Sequence, residues 1–330
     1  MSVIIPAYNA QATIDQTLCS VRGQTHPELE IIVVDDGSLD RTAEIVARHA
    51  ALDTRIRFVS QSNGGVAAAR NRAIALARAT YVAPIDADDL WAPDKIALQL
   101  AAMRGGPGRV GLVYTWFAVI DADSRVVLLD ARSQAEGDVV EALCQRNIVG
   151  NGSSPLMLRA AVIEAGGYDE GLRDQGAEGC EDYKLYFSIA ENYAVKLVRH
   201  FLTGYRETPA NMSSDLGQML RSRDLCAAEF VRRRPQFRRA IARSRTRLMR
   251  FNAARSFRGG DYGAALRGLG AMIKSDLVGT VATLFEIGVS RLRPRALDSS
   301  GRVVRGVKFP VGKPREAATD TNRLTNQTGL

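Results

Sequence analysis

Three acidic groups in this sequence have the types and spacing to do chemistry. Asp35-Asp36-Gly37-Ser38 and Asp86-Ala87-Asp88-Asp89 each end an apolar run, about 50 residues apart, and Glu181-Asp182 precedes an apolar-periodic stretch. Gathered carboxylates repel one another and raise one another's pKa, so such clusters need a cation or hydrogen-bond donors to hold them. Hard oxygen donors at strand tips suit a divalent cation and the phosphates of a nucleotide. A carboxylate at the start of a helix is also favoured by the helix dipole, which is the plainer explanation for Glu181-Asp182. Taken singly, Asp35 reads as a turn or capping residue, and the Asp86–Asp89 run as an acidic turn. Arg70 follows the small residues Val66–Ala69, which let a helix pack closely on a sheet. From there its guanidinium can reach a phosphate or an acidic cluster.

The elements that must position these groups alternate. Ser2–Ala7 reads as a strand, Ala12–Arg22 as a helix, Glu30–Val34 as a strand, and Ser38 or Asp40 caps a helix to about Ala51. Arg57–Ser60 is a short strand, Val66–Arg78 a helix, and Tyr81–Ile85 the strand that delivers Asp86. The unbroken β-branched run Ile31–Val34 is what a parallel strand covered on both faces requires. Alternation of this kind predicts an α/β, doubly wound, mostly parallel sheet with its ligands at the carboxyl ends of the strands. Beyond it come a helix over Asp94–Met103, a Gly105–Gly108 break, a hairpin of Val110–Ile120 with Val126–Leu129, helices at 138–147 and 159–165, a helix over Tyr183–Glu191, and a last strand, Val195–Val198. The domain expectation is a catalytic unit over 1–215, a basic helical region over 216–297 and a flexible tail over 298–330.

Composition narrows the classes. The 330 residues, 46% hydrophobic and 24% charged, are enough for a large core. Cys19, Cys144, Cys180 and Cys226 form no CxxC pair, so neither a zinc site nor a disulfide framework is expected, and a reducing cytoplasm fits. Met1-Ser2-Val3-Ile4-Ile5-Pro6 enters a strand with no basic n-region, so no signal peptide is expected. The net charge of +8 is divided. Residues 1–220 hold 20 Lys and Arg against 28 Asp and Glu, a balance of −8, and 221–330 hold 24 against 8, a balance of +16. The basic third carries Phe230, Phe237, Ile241, Leu248 and Phe251 on one helical face among many arginines, followed by a helical pair, Tyr262–Ile273 and Leu277–Leu292. The apolar stretch Leu277–Val289 contains Glu286 and falls short of the roughly 20 residues a membrane span needs. A block of positive charge suits an anionic surface; the interleaved aromatic platform of a single-strand nucleic-acid binder is missing.

Five motifs in one order raise this above separate signals: Val3-Ile4-Ile5-Pro6-Ala7-Tyr8-Asn9, Ile32-Val33-Val34-Asp35-Asp36-Gly37-Ser38, Asn63-Gly64-Gly65-Val66-Ala67-Ala68-Ala69-Arg70-Asn71, Asp86-Ala87-Asp88-Asp89 and Glu181-Asp182-Tyr183. Together they resemble the family 2 glycosyltransferases, inverting enzymes that use a nucleotide-diphosphate sugar on a GT-A fold, and the resemblance covers roughly residues 1–215. It implies that Pro6, Ala7 and Tyr8 pack on the base and that Asp36 accepts from a uracil imide N–H. It implies further that Arg70 serves the nucleotide site, and that Asp86-Ala87-Asp88 is a DxD motif with Asp86 toward the ribose and Asp88 holding Mg²⁺ or Mn²⁺. Asp182 then acts as the base that activates the acceptor hydroxyl, with Glu181 as its rival. Many relatives carry a histidine where Thr208 stands here, which removes that histidine from the metal or diphosphate site.

The expected function is an inverting, metal-dependent transfer from a nucleotide sugar, a UDP-sugar by preference, to a saccharide or polyprenyl-linked saccharide acceptor in polysaccharide or glycoconjugate synthesis. The expected location is cytoplasmic and peripheral to an anionic membrane face, without nucleic acid as a partner. A sugar-phosphate nucleotidyltransferase is an alternative, weakened by Pro6-Ala7-Tyr8-Asn9 standing where such enzymes place a Gly-rich basic loop; a non-catalytic basic binding protein is another.

Overall fold

The structure is a computed structural model that describes residues 1–105, 108–131, 133–208, 215–258, 262–273 and 306–314. Its centre is a nine-stranded mixed sheet built from β1 (Ser2–Ala7), β2 (Glu30–Asp35), β3 (Ile56–Ser60), β4 (Tyr81–Pro84), β5 (Leu90–Trp91), β6 (Val110–Ile120), β7 (Val126–Asp130), β8 (Leu156–Leu158) and β9 (Ala194–Arg206). The order is β3-β2-β1-β4-β8-β6-β9-β5, with β7 paired to β6. The β3-β2-β1-β4 half is parallel. β8 then joins β4 and β6 antiparallel, and β6 and β9 run parallel to each other.

Successive side chains of a strand point to opposite faces, so a strand buried on both sides divides its residues between two cores. Val3, Ile5, Ile31 and Val33 pack with Ile14, Leu18 and Val21 of α1 (Ile14–Arg22) and Ile45 and Val46 of α2 (Thr42–Leu52). Ile4, Ile32 and Val34 face the other way, onto Ala69, Ala73 and Ile74 of α3 (Val66–Leu76). The alternation read from the sequence is present, and each of β1, β2 and β4 ends where a chemical motif begins.

Two strands were not expected. β5 and β8 are two and three residues long, too short for any periodicity to register. β9 extends to Arg206, well past the expected Val198, because register shifts against β6 let polar and small residues such as Thr203 and Gly204 pair there. This extension carries Arg206 into the sheet.

After α4 (Lys95–Arg104), α5 (Val140–Gln145), α6 (Arg159–Glu164) and α7 (Gly171–Asp174), the helix α8 (Glu181–Ala190) is buried along most of its length. α9 (Leu216–Arg233) packs on it through Phe230, α10 (Arg238–Arg258) packs on α9 and α5, and α11 (Tyr262–Ile273) packs on α10. Phe230 of α9 stacks on Phe187 with ring centroids 3.8 Å apart and meets Tyr183 edge-on at 5.6 Å. Cys226, Phe230 and Ile241 share one core with α8, so the boundary expected at 215/216 does not interrupt the packing. No helix among the described residues is long and apolar enough to cross a membrane. The expected helix Leu277–Leu292 lies outside the described residues.

The expected flexible tail over 298–330 needs correction at residues 306–314, where Phe309 is 3% exposed and Lys308 bridges antiparallel to Arg125. Lacking periodicity, this stretch gave no sign of the apolar seat that Gly204 leaves for its one aromatic. The remainder of that tail lies outside the described residues.

Candidate functional site

The ends of β1, β2 and β4 meet the start of α8 at one edge of the sheet. At the end of β1, Pro6 and Ala7 are buried, while Tyr8 stands 51% exposed and Asn9 turns the chain with φ of 47°. An aromatic face is thus presented beside the tip of β2, whose Asp36 N–H donates to Ala7 O at 2.8 Å.

Asp36 is 3% exposed and its carboxylate pins the loop before α3. Oδ1 accepts from Gln61 Nε2 and Gly64 N, and Oδ2 from Gly65 N, each at 2.8 Å. Oδ2 keeps its second lone pair for one further donor. Gly65 has φ of 90°, and a Cβ there would meet Arg173 Nη1 and Glu178 Oε1 at 2.9 Å, so only glycine lets those side chains close over the loop. Asp35 belongs to the turn, accepting from Ser38 N and Ser60 Oγ.

The centre of the site is Arg70. The small residues of α3 bring its guanidinium under the sheet edge, where Nη2 lies 2.5 Å from Asp86 Oδ1 and Nη1 3.4 Å from Glu181 Oε1. Its Cζ sits 5.1 Å from the centre of the Tyr168 ring. Burial opposes the guanidinium's charge, but Asp86, Tyr168 and Glu181 hold it protonated well above the ordinary range. One buried cation therefore ties the acidic loop after β4 to the acidic pair that opens α8.

Asp86, Asp88 and Asp89 have separate fates. Asp86 is committed to Arg70. Asp89, fully buried, accepts from Ser153 Oγ at 2.5 Å and Arg206 N at 2.8 Å, and burial followed by the charges of Asp88 and Asp86 pushes its carboxyl well above the usual range. Asp88 is half-buried and, among the described residues, accepts a hydrogen bond only from its own backbone N–H. Burial and then Asp86 raise its pKa. Of the three it is the carboxylate that accepts no hydrogen bond from another residue among the described residues, although the charges of Arg206 and Arg70 act on it, and Ala87 between them packs into the core.

Asp182 is half-buried behind Arg70. Its Oδ1 accepts from Tyr183 N at 2.5 Å, and burial, then the Glu181 charge, push its carboxyl up to about 7 against the opposing pull of Arg70. Glu181 is tied to Arg70 and to Gly179 N. Of the acidic pair, Asp182 thus has the protonation equilibrium of a general base near neutral pH.

The loop Asn151–Ser154 braces this arrangement. Ser153 Oγ accepts from Asp86 N at 2.9 Å while donating to Asp89, and Gly152 lies so close that a Cβ would meet Arg70 Nη2 at 2.8 Å and Asp86 Oδ2 at 2.9 Å. Arg206 was missed altogether. It is 1% exposed, donates from Nε to Asp88 O at 2.7 Å, and clamps the turn between β6 and β7 through Asp121 O and Ala122 O. Its only sequence signal was a basic residue in a polar stretch before Pro209, which is shared by many surface arginines. His49 lies between Arg22 and Asp15 on the outer helices.

Residues 2–129 match the family model described as "Glycosyl transferase family 2". The chain is 45% identical over 104 residues to the putative teichuronic acid biosynthesis glycosyltransferase TuaG of Bacillus subtilis, covering 31% of this chain and 41% of that protein. It is 37% identical over 127 residues to the chondroitin synthase of Escherichia coli, covering 38% of this chain and 18% of that protein. The chain thus spans less than half the length of these curated relatives. Among solved structures, S. aureus TarS 1-349 in complex with UDP superposes with a TM-score of 0.57 at 16% identity, over 94% of this chain and 98% of that one. The mannosyltransferase of Pyrobaculum calidifontis in complex with GDP-Man and Mn²⁺ gives 0.57 at 19% identity, over 88% and 80%. Likeness at this level of identity fixes the fold, the GT-A arrangement expected from the motifs.

Proposed function

Residues 2–129 form a glycosyl transferase family 2 domain, and from that premise we propose that the chain transfers a sugar, with inversion, from a nucleotide-diphosphate sugar to a saccharide or lipid-linked saccharide hydroxyl. The observation that carries the proposal is the double contact of Arg70 with Asp86 and Glu181, which gathers the donor-side and acceptor-side carboxylates around one cation.

The nucleotide base lies between the Tyr8 ring, the Pro6-Ala7 backbone and the loop that Asp36 holds, and Asp36 Oδ2 has capacity for one imide donor. The preference for uracil rests on that carboxylate, which accepts from an imide and repels an acceptor. Asp86 and Ala87 flank the ribose.

The residues present fit a divalent cation at Asp88. Mg²⁺ takes one or two carboxylates and completes its sphere with phosphate oxygens and water. Asp88 offers such a hard oxygen, bound by no donor of another residue among the described residues, whereas the only group of three convergent ligand types among the described residues, Asp15, Cys19 and His49, lies elsewhere. Mg²⁺ or Mn²⁺ there would neutralise the departing diphosphate. Asp182 takes the proton of the acceptor hydroxyl as its oxygen attacks the anomeric carbon from the face opposite the leaving group. Glu181 keeps Arg70 in place beside it.

A panel of nucleotide sugars with Mg²⁺ or Mn²⁺, scored for release of nucleoside diphosphate, tests the reading. Metal-dependent release from one of them, lost in Asp182→Asn, is expected. Silence toward the whole panel, with formation of a nucleotide sugar from a nucleoside triphosphate and a sugar phosphate, would establish the nucleotidyltransferase alternative instead.

A further inference from the structure

We infer that residues 306–314, near the end of the sequence, act as a strap that positions the Asp88-Asp89 loop, an inference that rests on the metal-dependent transfer proposed above. The strap lies beside the turn between β6 and β7 as an added extended segment. Gly306 N donates to Val126 O at 2.7 Å, Val126 N to Val307 O at 2.9 Å and Phe309 N to Ser124 O at 2.8 Å. Phe309 fills the space that Gly204 leaves on β9, where a Cβ would lie 3.0 Å from its ring, and Ile120 adjoins the same seat. Further on, Gly312 packs backbone to backbone on Gly23 at the end of α1.

What the strap holds is the anchor of Arg206. Ser124 has φ of 63°, a left-handed conformation that a serine keeps only when its surroundings fix it, and two of its three polar atoms are bonded to elements that lead elsewhere. Its carbonyl receives Phe309 N; its hydroxyl donates to Gln16 Oε1 at 2.8 Å and accepts from Arg206 Nη2 at 3.1 Å. Arg206 also donates to Gln16, Asp121 O and Ala122 O, so most of its guanidinium bonds end on this turn or on α1. Its Nε bond to Asp88 O, together with the Arg206 N–H on Asp89, orients the loop that presents Asp88. The route runs Phe309, Ser124, Arg206, Asp88, entirely through hydrogen bonds of 2.7–3.1 Å. A cation ligand is only as well placed as the atoms that orient it.

Two full-length variants test this. Phe309→Ala empties the strap's seat. Gly23→Ala leaves strap and site untouched in sequence, but its methyl would meet Gly312 O at 2.6 Å and so lift the strap's far end. Gly23 has φ of −82°, which alanine adopts freely. Both variants should raise the Mn²⁺ concentration for half-maximal donor turnover by about tenfold, as loss of outer-sphere support does, with kcat restored at saturating Mn²⁺ and with faster hydrogen exchange at the Arg206 amide. Unchanged half-saturation and unchanged Arg206 exchange, in variants whose residues 306–314 exchange faster, would overturn the inference. If the wild type shows no metal-dependent turnover, the functional reading falls. Mn²⁺ titration in the presence of UDP and the Arg206 exchange rate then decide the strap's role on their own, unchanged values in both variants again overturning it.

Discussion

Arg70 Nη2 lies 2.5 Å from Asp86 Oδ1, and a Cβ on Gly152 would stand 2.8 Å from that Nη2 and 2.9 Å from Asp86 Oδ2, so the missing side chain is what permits the approach. The pair joins α3 to the end of β4, and through Glu181 it reaches α8. It is a structural ion pair and an electrostatic control at once, because the same guanidinium faces Asp182.

Removing that cation should therefore act on stability and on the base together. Arg70→Met leaves the buried Glu181 and the partly buried Asp86 without their counter-ion, and breaking a buried pair in this way costs about 3–5 kcal/mol. Denaturant unfolding should show a loss of that order, and the pH profile of any residual turnover should shift to more alkaline values, since Asp182 loses the charge that opposes its raised pKa.

The Asp182 carboxyl, raised to about 7 from 3.8, predicts a rate that climbs with pH through about 7 as the base loses its proton. The linked stability has the opposite direction. The folded protein binds this proton more tightly than the unfolded chain, so the contribution is complete below about pH 4 and is lost as pH rises to about 7. Asp182→Asn should abolish turnover and gain stability at pH 8 relative to wild type, on the order of a kcal/mol. A stability curve of the variant parallel to that of wild type between pH 4 and 8 would refute the assignment.

Asp88→Asn should separate binding from folding. With no partner to lose, the variant should unfold at or above the wild-type temperature, while donor affinity in Mn²⁺ falls by at least roughly the 10–100-fold that changes around a metal ligand produce. Calorimetric titration with a UDP-sugar, with and without Mn²⁺, measures both.

Lys95 is fully buried, with no carboxylate beside it among the described residues. Its ammonium rests on Gln99 Oε1 at 2.8 Å and on the Trp91 ring at 4.1 Å, and burial drives its pKa well below the ordinary lysine value. Protonation thus favours the unfolded chain, and stability from this group increases with pH toward the unfolded lysine's titration. Lys95→Met should flatten that alkaline rise with little effect on turnover; a thermal-shift series from pH 6 to 10 reads it.

Arg232 on α9 and Arg238, Arg239 and Arg243 on α10 are exposed, and none is paired with a carboxylate among the described residues. Juxtamembrane cations contribute about 1 kcal/mol each on an anionic bilayer. Flotation with vesicles containing anionic lipid should be salt-sensitive and should weaken in the double variant Arg238→Glu, Arg239→Glu. Flotation indifferent to lipid charge would end the case for peripheral attachment.

What the sequence determined by itself was local. The apolar run Ile31–Val34, the small residues before Arg70 and the acidic ends of β2 and β4 follow from side-chain type at short spacing, and they were enough to place the parallel half of the sheet and its motif-bearing edge. Which carboxylate does what was decided only by the tertiary structure. Asp86, Asp88 and Asp89 are alike and adjacent in sequence; Arg70 pairs the first, Ser153 and the Arg206 amide bind the third, and the middle one is left available because its neighbours were satisfied by partners 16 to 117 residues away. Arg206 and Phe309 escaped notice for the same reason. A guanidinium is a surface group or a clamp, and a tail phenylalanine a stray apolar residue or an anchor, according to contacts across the fold that no short-range periodicity records.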